Sequence, residues 1–203
     1  MTPVVQILLI VTIAGFGLQN FLGDAALVNF ALWPWGSFSD GSVTVGFKPW
    51  QLFTTALLHG GVAHLALNMF ALYMFGRDVE AEIGSKKFAW LYGASVLAGS
   101  LAQLVVVTAT LEQGVAPTVG ASGGVFGVLL AFGVLFPKRR VMLLIPPIPM
   151  PAWLLVLGYA AIELANGVFG TQSGVAHFAH LGGMAGAAVV LLTHRRRAPD
   201  HFR

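Results

Sequence analysis

The stretch TVGASGGVFGVLLAFGVLFPKRR, residues 118–140, sets the reading of the whole chain. From Val119 to Phe136 it is apolar apart from Ser122, and it stops at Pro137 and the basic triplet Lys138, Arg139, Arg140. A run of this length is near the minimum for a membrane-crossing helix. As a helix it rises about 25 Å, a little short of a ~30 Å hydrocarbon core. With the bases at one membrane face, Ser122 falls beneath the other, at the bottom of a dent. A hydroxyl between glycines in that place is a candidate nucleophile. On this stretch alone the plainer reading, a small residue that caps and packs a helix start, is the stronger.

Composition carries the membrane reading to the rest of the chain. Of 203 residues, 57% are hydrophobic and 9% charged, against roughly a quarter charged in a soluble domain. An all-α integral membrane protein is expected, one domain over residues 1–203, with no polar stretch long enough to hide a soluble domain. The net charge of +3 does not point to nucleic acid, because the bases sit in short clusters between apolar runs. Clusters of that kind orient a chain in a bilayer. The absence of cysteine excludes disulfides, a thiolate nucleophile and cysteine metal sites.

Apolar runs predict helices at about 3–21, 62–81, 88–110, 119–136, 153–169 and 175–193. The first lacks a basic leader and is long for a signal-peptide core, so it reads as a retained helix. Residues 23–48, rich in glycine, serine and aromatics (Trp33, Trp35, Phe38, Phe47, then Trp50), read as a loop on the outer membrane interface. The pair Gly60-Gly61 breaks off a piece too short to span. Pro146, Pro147, Pro149 and Pro151 exclude a helix after the basic triplet. Arg77/Lys86/Lys87, Lys138/Arg139/Arg140 and Arg195/Arg196/Arg197 follow helices two, four and six, whereas the other connections carry only Lys48. That alternation predicts six helices with both termini cytoplasmic.

Depth follows from orientation. His64 and Asn68 share a face in the outer half of helix two. Ser122 lies in the first turn of helix four, and His177 and His180 in the first two turns of helix six. Polar side chains from three helices thus converge on one level beneath the outer surface, where intramembrane polar groups are functional by default. A serine hydroxyl needs a base within reach, and histidine is the usual one. Gly123, Gly124 and Gly127 on helix four, with Ala179, Gly182, Gly183 and Gly186 on helix six, permit a close approach. Peptide hydrolysis also needs donors aimed at the developing oxyanion. The free N–H of Ser122 and the side chains of His64 and Asn68 are the candidates. The acids Asp24, Asp40 and Glu112 fall in loops and Glu163 reads as too deep, so a dyad without an acid is expected. His177 reads as a second polar neighbour or, in preference, an interfacial histidine.

Gly120-Ala121-Ser122-Gly123, the spacing His59-x4-His64-x3-Asn68, and Ala179-His180-Leu181-Gly182-Gly183 together resemble the rhomboid intramembrane serine proteases. The resemblance implies Ser122 as nucleophile and His180 as general base, then as general acid. It implies His64 and Asn68 as oxyanion donors with the backbone N–H groups of Ser122 and Ala121, and gives His59 a structural place at the start of helix two. Phe126, where many relatives have tyrosine, supplies a ring on the catalytic histidine without the hydroxyl. Trp50-Gln51 stands where many relatives carry Trp-Arg, and Glu82 follows Glu80 where an arginine is frequent. The resemblance implies transmembrane protein substrates in the lipid bilayer, a bacterial inner membrane, lateral entry past helix five, and no metal, cofactor or nucleic acid. Two other readings compete: a zinc enzyme or metal transporter using His59, His64, His177 and His180, and a non-catalytic chaperone of transmembrane helices. The first lacks the H-E-x-x-H pattern. The second predicts loss of the serine or histidine, and both are present.

Overall fold

The computed structural model describes residues 2–39, 41–111, 114–142, 147–170 and 175–195. Asp40, Glu112, Pro146, residues 171–174, Arg196 and Arg197 lie outside them. Six apolar helical segments make the bundle of an all-α integral membrane protein. Three are long enough to cross a bilayer unaided: α1 (Pro3–Leu22), α6 (Ser85–Ala109) and α8 (Ala152–Phe169). A fourth is bent. The short α3 (Gln51–Thr54) and its 3₁₀ extension Thr55–Leu57 turn by 99° into a second piece. That piece is one continuous helix, α4 (Val62–Ala71), a π turn (Leu72–Gly76) and α5 (Arg77–Ile83). The two shorter segments are α7 (Ser122–Leu135) and α9 (His177–Arg195).

Helix α7 spans 14 residues, a rise of about 21 Å. It is apolar on all sides and buried on most of them, from Gly123 to Gly133, as expected of a helix enclosed by others. It packs on α6 and α9 through small residues. A Cβ on Gly99 of α6 would lie 3.4 Å from Gly123 Cα, and one on Gly183 of α9 would meet the Gly123 carbonyl. Close backbone approach of this kind replaces a hydrophobic driving force in lipid. Because its neighbours face the lipid instead, α7 need not match the bilayer, and its start can lie below the surface. α8 sits at the edge, with Trp153, Leu157, Ile162, Val168 and Phe169 exposed.

One end of the bundle carries Lys86, Lys87 and Lys138 to Arg140. There Glu80, 2% exposed, accepts the N–H groups of Val4 (3.0 Å) and Val5 (2.8 Å) and the Ser85 hydroxyl (2.6 Å). A carboxylate on the unpaired N–H groups of a helix start is favourable. Glu80 therefore ties α5, α1 and α6 together, with no arginine involved among the described residues. Arg139 pairs with Asp78 at 2.8 Å. The described ends of the proline-rich connection are strands: β3 (Arg140–Met142) pairs antiparallel with β4 (Pro149–Pro151).

The opposite end holds residues 23–39 and 41–50, more ordered than a plain loop. They form α2 (Asp24–Phe30) and a hairpin of β1 (Phe38–Ser39) and β2 (Thr44–Val45). Gln51 is their clasp: fully buried, its side-chain oxygen accepts from Trp33 N (3.3 Å) and Lys48 N (3.1 Å), and Nε2 donates to the Gly46 carbonyl (3.3 Å). Trp35 stacks on Phe47 with ring centres 5.1 Å apart. These aromatics, half in and half out, suit an interface.

Candidate active site

Ser122 is the first residue of α7, so its N–H has no acceptor within the helix. The segment leading to it is held from two sides. Leu32 and Thr118 exchange both backbone hydrogen bonds (3.0 and 2.9 Å). Thr55 donates its hydroxyl to the Thr118 carbonyl (2.6 Å), and its own carbonyl accepts Gly120 N–H (3.0 Å). Gly120 has φ +136°, and a Cβ there would lie 2.9 Å from His64 Cε1 and 3.5 Å from Ser122 Oγ. Only glycine suits that backbone and that space. Ala121, fully buried, follows as the helix cap position.

His180, in the first turn of α9, places Nε2 2.9 Å from Ser122 Oγ across the small-residue contact. Phe126 lies flat on its imidazole, ring centres 4.2 Å apart and planes 4° from parallel. Tyr159 of α8 meets Phe126 edge-on at 6.0 Å. The ring of His180 is thereby fixed in plane. On its other side the expectation of a site without an acid is overturned: Glu163 Oε2 stands 2.9 Å from His180 Nδ1 and 2.7 Å from His177 Nδ1. The contact to His177 is an aligned hydrogen bond, whereas His180 Nδ1 is out of line with the same oxygen. His177, expected at the interface, is instead 5% exposed and bound to that acid.

Glu163 read as too deep because counting along one helix gives no relation to another. It lies six positions before Phe169, the end of α8, about 9 Å along the axis. His180 lies three positions into α9, about 4.5 Å, and a glutamate side chain closes that difference. The available signal was an acid in an apolar span, which normally faces the bundle and finds a partner.

His64 lies beside Gly120, and its Nδ1 accepts a long bond from Gly60 N–H (3.4 Å). Asn68, 6% exposed, donates Nδ2 to the His64 carbonyl (2.9 Å), which uses one of its two amide protons. The described contacts bring neither side chain into a hydrogen bond with Ser122. His59 is 1% exposed, meets the His64 ring at 5.0 Å, and has neither ring nitrogen hydrogen-bonded among the described residues. Gln19 of α1 clasps its backbone at N–H (2.9 Å) and carbonyl (2.8 Å). Beside Ser122 is a cavity of about 20 Å³ with Thr55, Ser100 and Gln103 in its wall, room for one water.

Glu163, His177 and His180 offer three ligand atoms within 4.8 Å of one another, a donor set suited to zinc. A metal on His180 Nδ1 leaves the proton on Nε2, which then cannot accept one from Ser122. The two uses of that imidazole exclude each other.

Comparison with known proteins agrees with the fold. A family model described as the Rhomboid domain matches residues 46–197. The chain is 37% identical over 133 residues to rhomboid protein 1, mitochondrial, of Saccharomyces cerevisiae, a match covering 66% of this chain and 38% of that protein. It is 39% identical over 95 residues to rhomboid protease GluP of Bacillus subtilis, covering 47% of this chain and 17% of that one. With rhomboid protease GlpG of Klebsiella pneumoniae it is 30% identical over 207 residues, covering 97% of this chain and 66% of the relative. The chain thus spans less than half the length of several curated relatives it matches. The matched region contains Ser122, His180, Glu163, His177, His64 and Asn68, and the chain belongs to the rhomboid family.

Proposed function

We propose that this protein is an intramembrane serine endopeptidase. It hydrolyses a peptide bond of a membrane-anchored substrate, within or near the substrate's transmembrane segment. One observation carries the reading, the 2.9 Å approach of His180 Nε2 to Ser122 Oγ. An imidazole at that distance accepts the hydroxyl proton as oxygen attacks the scissile carbonyl. It then gives the proton to the leaving amine. A water repeats the sequence on the acyl-enzyme. The N–H groups at the start of α7, the His64 side chain and the remaining amide proton of Asn68 surround the place where negative charge develops. Relatives named rhomboid protease support the reaction class.

In this reading the basic end of the bundle and both termini face the cytoplasm, the site opens toward the opposite face, and the host membrane is a bacterial inner membrane. α8, at the edge and mostly exposed to lipid, is where a substrate helix enters. Single-span fusion proteins in liposomes test the activity. Ser122→Ala and His180→Ala are each expected to abolish cleavage while leaving the thermal midpoint near that of the parent. Unchanged turnover in either variant contradicts the assignment. The donor set of Glu163, His177 and His180 favours a second reading, a metal enzyme. That reading requires activity that EDTA removes and zinc restores; the serine mechanism requires activity indifferent to both.

A further inference from the structure

We propose that Glu163 is a positioning residue of this site. Its carboxylate, held by His177, selects the tautomer of His180 that accepts the Ser122 proton and balances the imidazolium formed when it does. The inference rests on the reading of Ser122 and His180 as nucleophile and base.

Three constraints on one imidazole lead to it. Phe126 sets the plane of the ring but offers no acceptor. Ser122 Oγ occupies Nε2. For Nε2 to carry a lone pair, the neutral ring must hold its proton on Nδ1. His180 is 8% exposed, and a buried N–H calls for an acceptor. Glu163 Oε2 is 2.9 Å away. Its line to Nδ1 is bent in the free protein, as catalytic hydrogen bonds often are before substrate binds. In the proposed complex the carboxylate turns about its bond to His177 to align it.

The charge of Glu163 is the second argument. It is 7% exposed on a helix whose other face is bare to lipid, where a lone carboxylate is costly. Among the described residues its ion-pair partners are the two histidines, and no lysine or arginine neutralises it. A tie between α8 and α9 needs only an uncharged acceptor. A carboxylate is useful there when positive charge appears on His180 during the reaction. The balance is simple. The Ser122 proton passes to Nε2 as the Oγ–carbon bond forms. It leaves with the amine as the carbon–nitrogen bond breaks. Glu163 exchanges no proton at either step.

The full chain in liposomes, with a single-span fusion substrate, tests this through Glu163→Gln and Glu163→Asp. Glutamine keeps size and hydrogen bonding but not charge; aspartate keeps charge at a shorter reach. We expect Glu163→Gln to lower kcat by about 10²-fold or more, the direction seen when a serine protease loses the charge behind its histidine. KM is expected to change by less than about twofold. Serine-directed fluorophosphonate labelling should slow in parallel, and Glu163→Asp should fall between the parent and the glutamine variant. A glutamine variant within twofold of the parent, or one as active as the aspartate variant, overturns the proposal and leaves Glu163 a structural tie. If Glu163→Gln does not fold, Glu163→Asp decides: a lower kcat at unchanged KM supports the role, and a parental kcat refutes it. Ser122→Ala in the same assay separates the two levels. If it is inactive while Glu163→Gln is fully active, only the role of Glu163 fails; if it cleaves, the parent reading fails first.

Discussion

The proposed chemistry depends first on how the Ser122 hydroxyl is aimed. A serine at a helix start has a mobile hydroxyl and a neighbouring chain free to shift. Here the approach to it is pinned by Thr55, which makes two hydrogen bonds to residues 118–120. Thr55→Val keeps the shape and removes the hydroxyl donor, leaving the half-buried Thr118 carbonyl with its bond to Leu32 alone. Loss of one such bond costs about 0.5–1.5 kcal/mol. The expected result is a lower thermal midpoint and a several-fold lower kcat; full activity and stability would remove Thr55 from the support of the site. Ser122 and His180 could be brought to one level from the sequence because the orientation of their helices fixes depth, whereas Phe126 followed only from the family resemblance. Glu163 could not be paired with the histidines that way. Depth on one helix does not say which way a residue about three turns along another helix is rotated, and that angle comes only from packing.

Elements show a similar division. The apolar runs, the Gly60-Gly61 break and the proline stretch are properties of contiguous residues, and each is legible as such. The helix α2 and the hairpin β1–β2 were not legible. They are held by Gln51 and by stacked aromatics distant in sequence, not by local periodicity. The order of packing was also hidden. Glycines on helix six read as facing helix four, yet Gly182 and Gly186 lie against Ala98 and Ala94 of α6, and Gly183 against Gly123 of α7. A Cβ on Gly183 would collide with the Gly123 carbonyl. Gly183→Ala is expected to lower stability by about 1–3 kcal/mol, the usual cost of overpacking, and to part Ser122 from His180. Gly158 of α8 has nothing within 4 Å of such a Cβ. Gly158→Ala should leave stability unchanged or raise it by up to about 1 kcal/mol. Thermal unfolding in detergent compares the pair; equal midpoints would contradict the packing described.

For the whole molecule, the asymmetry of charge is the organising fact. Most bases gather at one end and the Ser122 cluster lies at the other, where α7, too short to cross alone, packs between the long α6 and the likewise shorter α9. In the proposed reading, that arrangement holds the reaction centre below the membrane surface. The absence of cysteine makes its orientation measurable. Single cysteines at Ser37 and Lys86, both exposed, can be probed with a membrane-impermeant maleimide on intact cells. Labelling at Ser37 and protection at Lys86 are expected; the reverse pattern would invert the topology.

The central claim is that His180 makes Ser122 a nucleophile, and a covalent probe tests it without a substrate. A fluorophosphonate adduct located by peptide mass spectrometry should sit on Ser122 and be lost in His180→Ala protein that still unfolds at the parental temperature. An adduct on another residue, or labelling of Ser122 at an undiminished rate without His180, would contradict the account.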